Sequence, residues 1–345
     1  MTPACSCSRR SEPPADLRGA LRRSCLVDLD RRAFLALGLA ALPALAGGRA
    51  PARREPLALA TADTEAHVVV VGIGRGVVLR RLATVEDPRS IESGPGGHVV
   101  VAHPAAGALS LLTVRPPRVR RVLGGLGAPR YCAMTPDGRH ALVSDGLRGE
   151  LVVVDLRRAR IVAGVEVGAG ARHLSLDPAG RVLWVALGSS APAIAVVDVS
   201  DPLRPHVRRR VHAPFLAHDV AFSPSGRRVW VTAGRERHLA VLPATGAGET
   251  MVLGADAAPQ HVSFGHGVAF VASGEGASVR VHDLSDGRVR RTTRVPYGSY
   301  NVQAGAGAVV TPSLSRGTLT VLDRAGRVRH EVEVARAAHD ACLAR

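Results

Sequence analysis

Lysine is missing from this chain: all 45 of its basic residues are arginine. Aromatic residues make up only 3%, asparagine occurs once (Asn301) and glutamine twice (Gln260 and Gln303). The formal net charge of +16 invites a nucleic-acid reading. Single-strand binders, however, interleave basic grooves with stacking aromatics, and few aromatics are present here to interleave. Arginine without lysine reflects codon usage as much as selection for charge, so no nucleic-acid partner is expected. Cysteine is sparse too. Cys5, Cys7 and Cys25 precede residue 46, which leaves Cys132 and Cys342. No metal-type Cys-x-x-Cys pair follows, and the two late cysteines are expected to be buried thiols rather than a disulfide. Neither a Gly-x-Ser-x-Gly elbow nor a Ser-x-x-Lys motif occurs, which removes two familiar routes to an activated serine.

Hydrophobic residues at 46% and charged residues at 21% describe a globular body. The N-terminus reads differently from that body. Asp30-Arg31-Arg32-Ala33-Phe34-Leu35 leads into an apolar run ending at Ala46, with Ala44-Leu45-Ala46 as a small-x-small cleavage site. The run is short and interrupted by Pro and Gly, which disfavours a membrane span. It resembles a twin-arginine export signal, although Asp30 and Ala36 depart from the general form. That resemblance implies folding before export and a periplasmic or extracellular location, with no stable membrane span after cleavage near Ala46.

From Pro56 onward the chain is a series of short β-branched runs punctuated by Gly, Pro and Asp, without a helical period. Arg89, Arg130, Arg172, His218, Gln260, Tyr300 and His339 open similar strands at intervals of 41, 42, 46, 42, 40 and 39 residues. Such a period fits one four-stranded propeller blade. Within a unit comes a turn such as Thr135-Pro136-Asp137-Gly138 or Ser223-Pro224-Ser225-Gly226, where Pro presets φ and Gly permits positive φ. A second strand follows, with Trp184, Trp230 and Phe270 at one equivalent position, expected between blades. The third strand ends at Asp155, Asp198, Asp283 and Asp323, read as residues that bond their own turn. Blade five has Pro243 there, which no obligatory chemistry would tolerate.

These units resemble the YVTN-type (YncE-like) β-propeller repeats of secreted bacterial proteins, most plainly over TPDGRHALVSDGLRGELVVVDLRRARIVAGVEVG and at VWVTA, residues 229 to 233. The expected fold is an all-β, seven-bladed propeller with four-stranded blades, in which the C-terminal strand joins the N-terminal blade and closes the ring. The expected domains are 1–46 (export signal), 47–55 (linker) and 56–345 (propeller). Blade 1 is assigned to 56–88 plus 338–345, blade 2 to 89–127, blade 3 to 128–170 and blade 4 to 171–216. Blades 5 to 7 take 217–257, 258–299 and 300–337.

In such propellers the innermost strand enters at the mouth of the central channel. Its third and fifth positions here are apolar and its fourth mostly small (Ala133, Ser175, Ala221, Ser263). The first two are polar in every unit: Arg89-Ser90, Arg130-Tyr131, Arg172-His173, His218-Asp219, Gln260-His261, Tyr300-Asn301 and His339-Asp340. The rare residue types gather in this ring, and Arg stands on three consecutive blades. Guanidinium forks suit a carboxylate or phosphate. The ligand-binding set is therefore Arg89, Arg130, Tyr131, Arg172, His173, His218, Gln260, His261, Tyr300, Asn301 and His339, around a small anionic molecule or peptide group. No cofactor is required. A bound divalent metal is the sharper alternative, on His173, His218, Asp219, His261, His339 and Asp340. A lactonase- or lyase-like enzyme would use His218 or His339 as general base, oriented by Asp219 or Asp340. A protein-interaction scaffold is a third possibility, and a polar rim merely facing water a fourth. A monomer is expected. His98, His103, His140, His206, His212, His238, His282 and His330 are dispersed and expected at the surface or in turns.

Overall fold

The computed structural model describes residues 55–188, 193–255 and 257–344. The segment expected to be an export signal, and the expected linker up to residue 54, lie outside the described residues. No described helix is long and apolar enough to cross a membrane. Among the described residues the strands form seven four-stranded antiparallel sheets, and a three-residue 3-10 turn spans Pro95–Gly97. The sheets are the blades of a β-propeller. Blade 1 runs outward from Ala338–Leu343 through Leu57–Ala62 and His67–Gly72 to Val77–Ala83. Blades 2 to 7 each take four consecutive strands, within 90–123, 129–166, 174–212, 219–254, 261–294 and 303–333.

Closure is made by the chain ends. The last strand pairs antiparallel with the first through Ala58↔Leu343, Leu59↔Cys342 and Ala60↔Ala341, then passes an irregularity to Ala62↔Ala338. The closing strand covers the inner edge of Leu57–Ala62 and brings blade 1 to the same four strands as the other blades.

Seven apolar clusters fill the seven interfaces between neighbouring blades. Because both faces of a blade are covered, the two middle strands are buried at nearly every position, which is why they read as unbroken apolar runs such as Val68 to Val71. Trp184, Trp230 and Phe270 are fully buried there, Trp184 edge-on to Phe222 and Trp230 edge-on to Phe264. Truncating one such side chain costs about 3–5 kcal/mol. The arginine surplus sits on the outermost strands, where Arg80, Arg81, Arg120, Arg121, Arg209 and Arg210 are exposed.

The turns follow their chemistry. Gly138 (φ +68°) closes its turn by donating to the Thr135 carbonyl, and a Cβ there would come within 2.9 Å of the Pro95 carbonyl oxygen. The recurrent aspartates accept from their own turns: Asp155 from the Arg158 amide at 2.7 Å, Asp198 from Ser200 at 2.8 Å and Asp323 from Arg327 at 2.8 Å. Cys132 and Cys342 are free and buried on blades 3 and 1. Two of the dispersed histidines correct the surface expectation. His103 is fully buried, bonded to the Glu86 carbonyl and the Ser110 hydroxyl, and buried His282 bonds the Gly287 carbonyl and lies edge-on to Trp230. An imidazole satisfied at one or both nitrogens is a tolerable core residue, and nothing in its sequence neighbourhood advertises the partner.

Candidate functional site at the channel mouth

Apart from Arg89 and Arg130, which line neither, the polar pairs of the inner strands divide between two cavities. First members Arg172, His218, Gln260, Tyr300 and His339 line a mouth cavity of about 370 Å³. Second members Ser90, Tyr131, His173, Asp219, His261, Asn301 and Asp340 line a channel cavity of about 510 Å³, which reaches the turns at Pro178 and Pro224. The alternation of a strand's side chains produces this split. Tyr131 and His261 line both cavities and so stand at the junction.

Part of the ring is engaged in holding the blades. Asp219 accepts from the amides of Val220 at 2.9 Å and, on the next blade, Val262 at 3.0 Å. Asp340 does the same with Ala341 and, across the closure, Ile91 at 2.9 Å, and takes a further bond from the Asn301 amide. Gln260 donates to the Gly234 carbonyl at 2.8 Å and accepts from the Gly274 amide at 2.9 Å, which uses both ends of its side chain. Ser90 donates to the Arg130 carbonyl. His339 bonds the Arg89 carbonyl through Nδ1 at 2.9 Å. Burial pushes the Asp340 carboxyl up to about 8 and Asp219 to about 7, against amide donors that favour their anions. The carboxylate of Asp219 lies 3.7 Å from Nδ1 of His261 on the next blade, so the histidine it addresses is not the one beside it in sequence.

The remainder has no such work. Arg89 reaches Asp63 at 3.4 Å. Arg130 and Arg172 make no ion pair or side-chain hydrogen bond among the described residues, and Nε of Arg172 is buried without a partner. Burial, followed by the charges of Arg172 and Arg89, holds Arg130 below the ordinary arginine value. Behind them Tyr131 stacks on His173 with ring centroids 3.8 Å apart, and burial raises its phenol to about 12. His173 lies 4.5 Å from both His218 and His261, centroid to centroid. All three imidazoles are held neutral chiefly by burial, His218 down to about 4 and the other two well below the usual value. His339, outside this group, is lowered to about 3 by burial and by Arg89. Tyr300 lies against the Gly274 backbone, and Glu236 and Glu275 complete the rim on that side. With Arg235 beside them, this side of the mouth carries charges of both signs next to the His, Gln and Tyr of the ring.

Three features are not evident from the paired positions alone. A glycine after the second strand lets a ring side chain lie flat: a Cβ at Gly188 would come within 2.9 Å of Arg172 Cδ, and one at Gly234 within 2.5 Å of His218 Cβ. Buried hydroxyls on the second strands bond the backbone of the pairs, Ser144 to the Arg172 carbonyl and Thr232 to that of Gln260. In both cases the signal available is recurrence at one repeat position. Finally, Glu92 and Gln303 replace the small residue at the fourth position and bond each other at 3.1 Å across the channel. That departure from the repeat is the visible cue.

No family model and no curated protein matches the chain. Solved structures do match it in fold. A functionally unknown protein from Desulfotomaculum acetoxidans DSM 771 superposes with a TM-score of 0.73 at 12% identity, over 84% of this chain and 99% of that one. Apo AztD from Citrobacter koseri gives 0.66 at 11% identity, over 84% and 98%. The dihydro-heme d1 dehydrogenase NirN, solved in complex with DHE, gives 0.59 at 18% identity, over 83% of this chain and 65% of its own. At these identities the likeness establishes the propeller fold and nothing finer.

Proposed function

We propose that the protein is an exported, YVTN-type propeller that binds a small anionic molecule, carboxylate-bearing in the simplest case, at the channel mouth. One observation carries this reading. Arg130 and Arg172 are half-buried next to each other and to Arg89, yet have no carboxylate partner among the described residues. Adjacent like charges kept from water are unfavourable unless an anion joins them, and a planar guanidinium accepts a carboxylate through two parallel bonds. Binding would need little rearrangement, because Gly188 and the Ser144 hydroxyl already hold Arg172 and its backbone in place. Catalysis by a His-Asp pair is less well supported: the Asp340 and Asp219 carboxylates bond backbone amides rather than their sequence-adjacent imidazoles. That a propeller neighbour, NirN, is described in complex with a ligand makes a binding role reasonable for this architecture.

The test is a thermal-shift and calorimetric screen of the protein from Gly47 onward against sugar acids, dicarboxylates, phosphates and short peptides. A ligand at a hundredfold its dissociation constant adds about 2.7 kcal/mol of stability. We expect one anion class to stabilise the protein and its effect to vanish in an Arg130→Gln, Arg172→Gln double variant. No anion response, or one that survives the double substitution, would sink the proposal.

A further inference from the structure

We propose that His173, His218 and His261 bind a first-row divalent transition metal of the zinc class, leaving a coordination position open toward the mouth for an anion. The three residues come from three consecutive blades and offer one ring nitrogen each, all within 4.8 Å of one another. Tetrahedral ligands at ordinary zinc–nitrogen distances lie about 3.4 Å apart, a difference that side-chain rotation covers. The second observation is independent of the clustering. His173 is 1% exposed, and neither of its ring nitrogens makes a hydrogen bond of good geometry, although the backbone of His218 comes close enough to favour its protonated form. A buried imidazole without a well-formed hydrogen bond is a costly arrangement unless something occupies one of its nitrogens.

The surroundings fit the same chemistry. Asp219 stands 3.7 Å from Nδ1 of His261, in the place of the carboxylate that orients a metal-bound histidine and leaves Nε2 to ligate. Tyr131 packs against the His173 ring and fixes its plane. His218 lines the mouth cavity, and His261 lines both cavities, so the centre of the cluster is reached from the mouth. Three neutral nitrogen donors leave the ion its full charge, and Arg130 and Arg172 nearby oppose it. An anion bridging metal and guanidinium removes that repulsion, so metal and anion should bind cooperatively. This last step rests on the anion reading above; the metal site does not.

The experiment uses the protein from Gly47 onward, stripped with chelator and titrated with Co(II), whose visible absorption reports low-coordinate nitrogen ligation, followed by zinc competition. We expect one Co(II) per chain, displaced by zinc, and a zinc-induced rise in melting temperature of several degrees. His173→Phe refills the stacking site beside Tyr131 without a ligand atom. It should melt like the metal-free parent and lose affinity by at least about tenfold, as should His218→Ala. Acetate should shift the Co(II) spectrum of the parent and leave that of the Arg130→Gln, Arg172→Gln double variant unchanged. Failure to take up Co(II), or uptake undiminished in His173→Phe, overturns the metal site and leaves the anion reading standing. Histidine-dependent uptake that ignores acetate in the parent keeps the metal and overturns the cooperative anion.

Discussion

The inner ring contains two kinds of polar residue that look alike in sequence. Asp219, Gln260, Asn301 and Asp340 spend their side chains on backbone amides, carbonyls or each other, and so tie neighbouring blades together. Arg130, Arg172 and His173 occupy equivalent or adjoining positions and leave polar atoms unmatched. Where blades meet at the axis, every polar group must find a partner; one that has none within the protein is where a partner from outside is expected. The contrast separates residues that build the mouth from residues that use it.

That division is most severely challenged by removing a builder outright. Deleting residues 338–345 takes away the strand that closes blade 1, together with the Asp340 bonds to blades 2 and 7. We expect the melting temperature to fall on the order of 10 °C or more, or folding to fail; a truncation that melts like the full chain would refute ring closure as a source of stability. Next in size, Asp340→Ala strands the Ile91 and Ala341 amides and the Asn301 side chain, at a cost of about 2–4 kcal/mol by denaturant unfolding. Gln260→Ala should cost about 2 kcal/mol for the same reason.

The users should behave in the opposite way. Arg130→Gln and Arg172→Gln relieve the repulsion of adjacent guanidiniums and should leave stability unchanged or raise it by up to about 1 kcal/mol, while anion binding is lost. A destabilisation as large as that of Asp340→Ala would erase the distinction. Titration provides the smallest and most gradual test. His339 is lowered to about 3 in the fold, so the unfolded chain binds its proton first as pH falls. Stability should then decline from about pH 6.5 toward pH 3, a slope that His339→Gln flattens. Asp340, raised to about 8, works the other way: the fold holds its proton where the unfolded chain has lost it, so stability falls as pH rises from about 4 through 8. The two slopes oppose each other between about pH 4 and 6.5, so the His339 limb is read by chemical denaturation as the difference between the parent and His339→Gln.

The sequence alone determined the repeat and with it the architecture. The period near 42 residues, the Pro-x-Gly turns and the unbroken apolar middle strands are local signals, and each is imposed by backbone chemistry or by burial on both faces. The ring closure was legible as well, because the N-terminal unit lacks one strand and the chain's last residues match the missing type. The division of labour within the ring was not. Asp219 and Asp340 invite pairing with the histidines before them, but on an extended strand neighbours point apart, so their partners come from the next blade, 43 residues away in sequence for Asp219 and 249 for Asp340. His173, His218 and His261 likewise belong to three repeats and meet only because the ring turns them toward one axis. Tertiary structure decided which polar atoms remain without a partner, since satisfaction depends on amides, carbonyls and glycines contributed by adjacent blades rather than on the residue's own type.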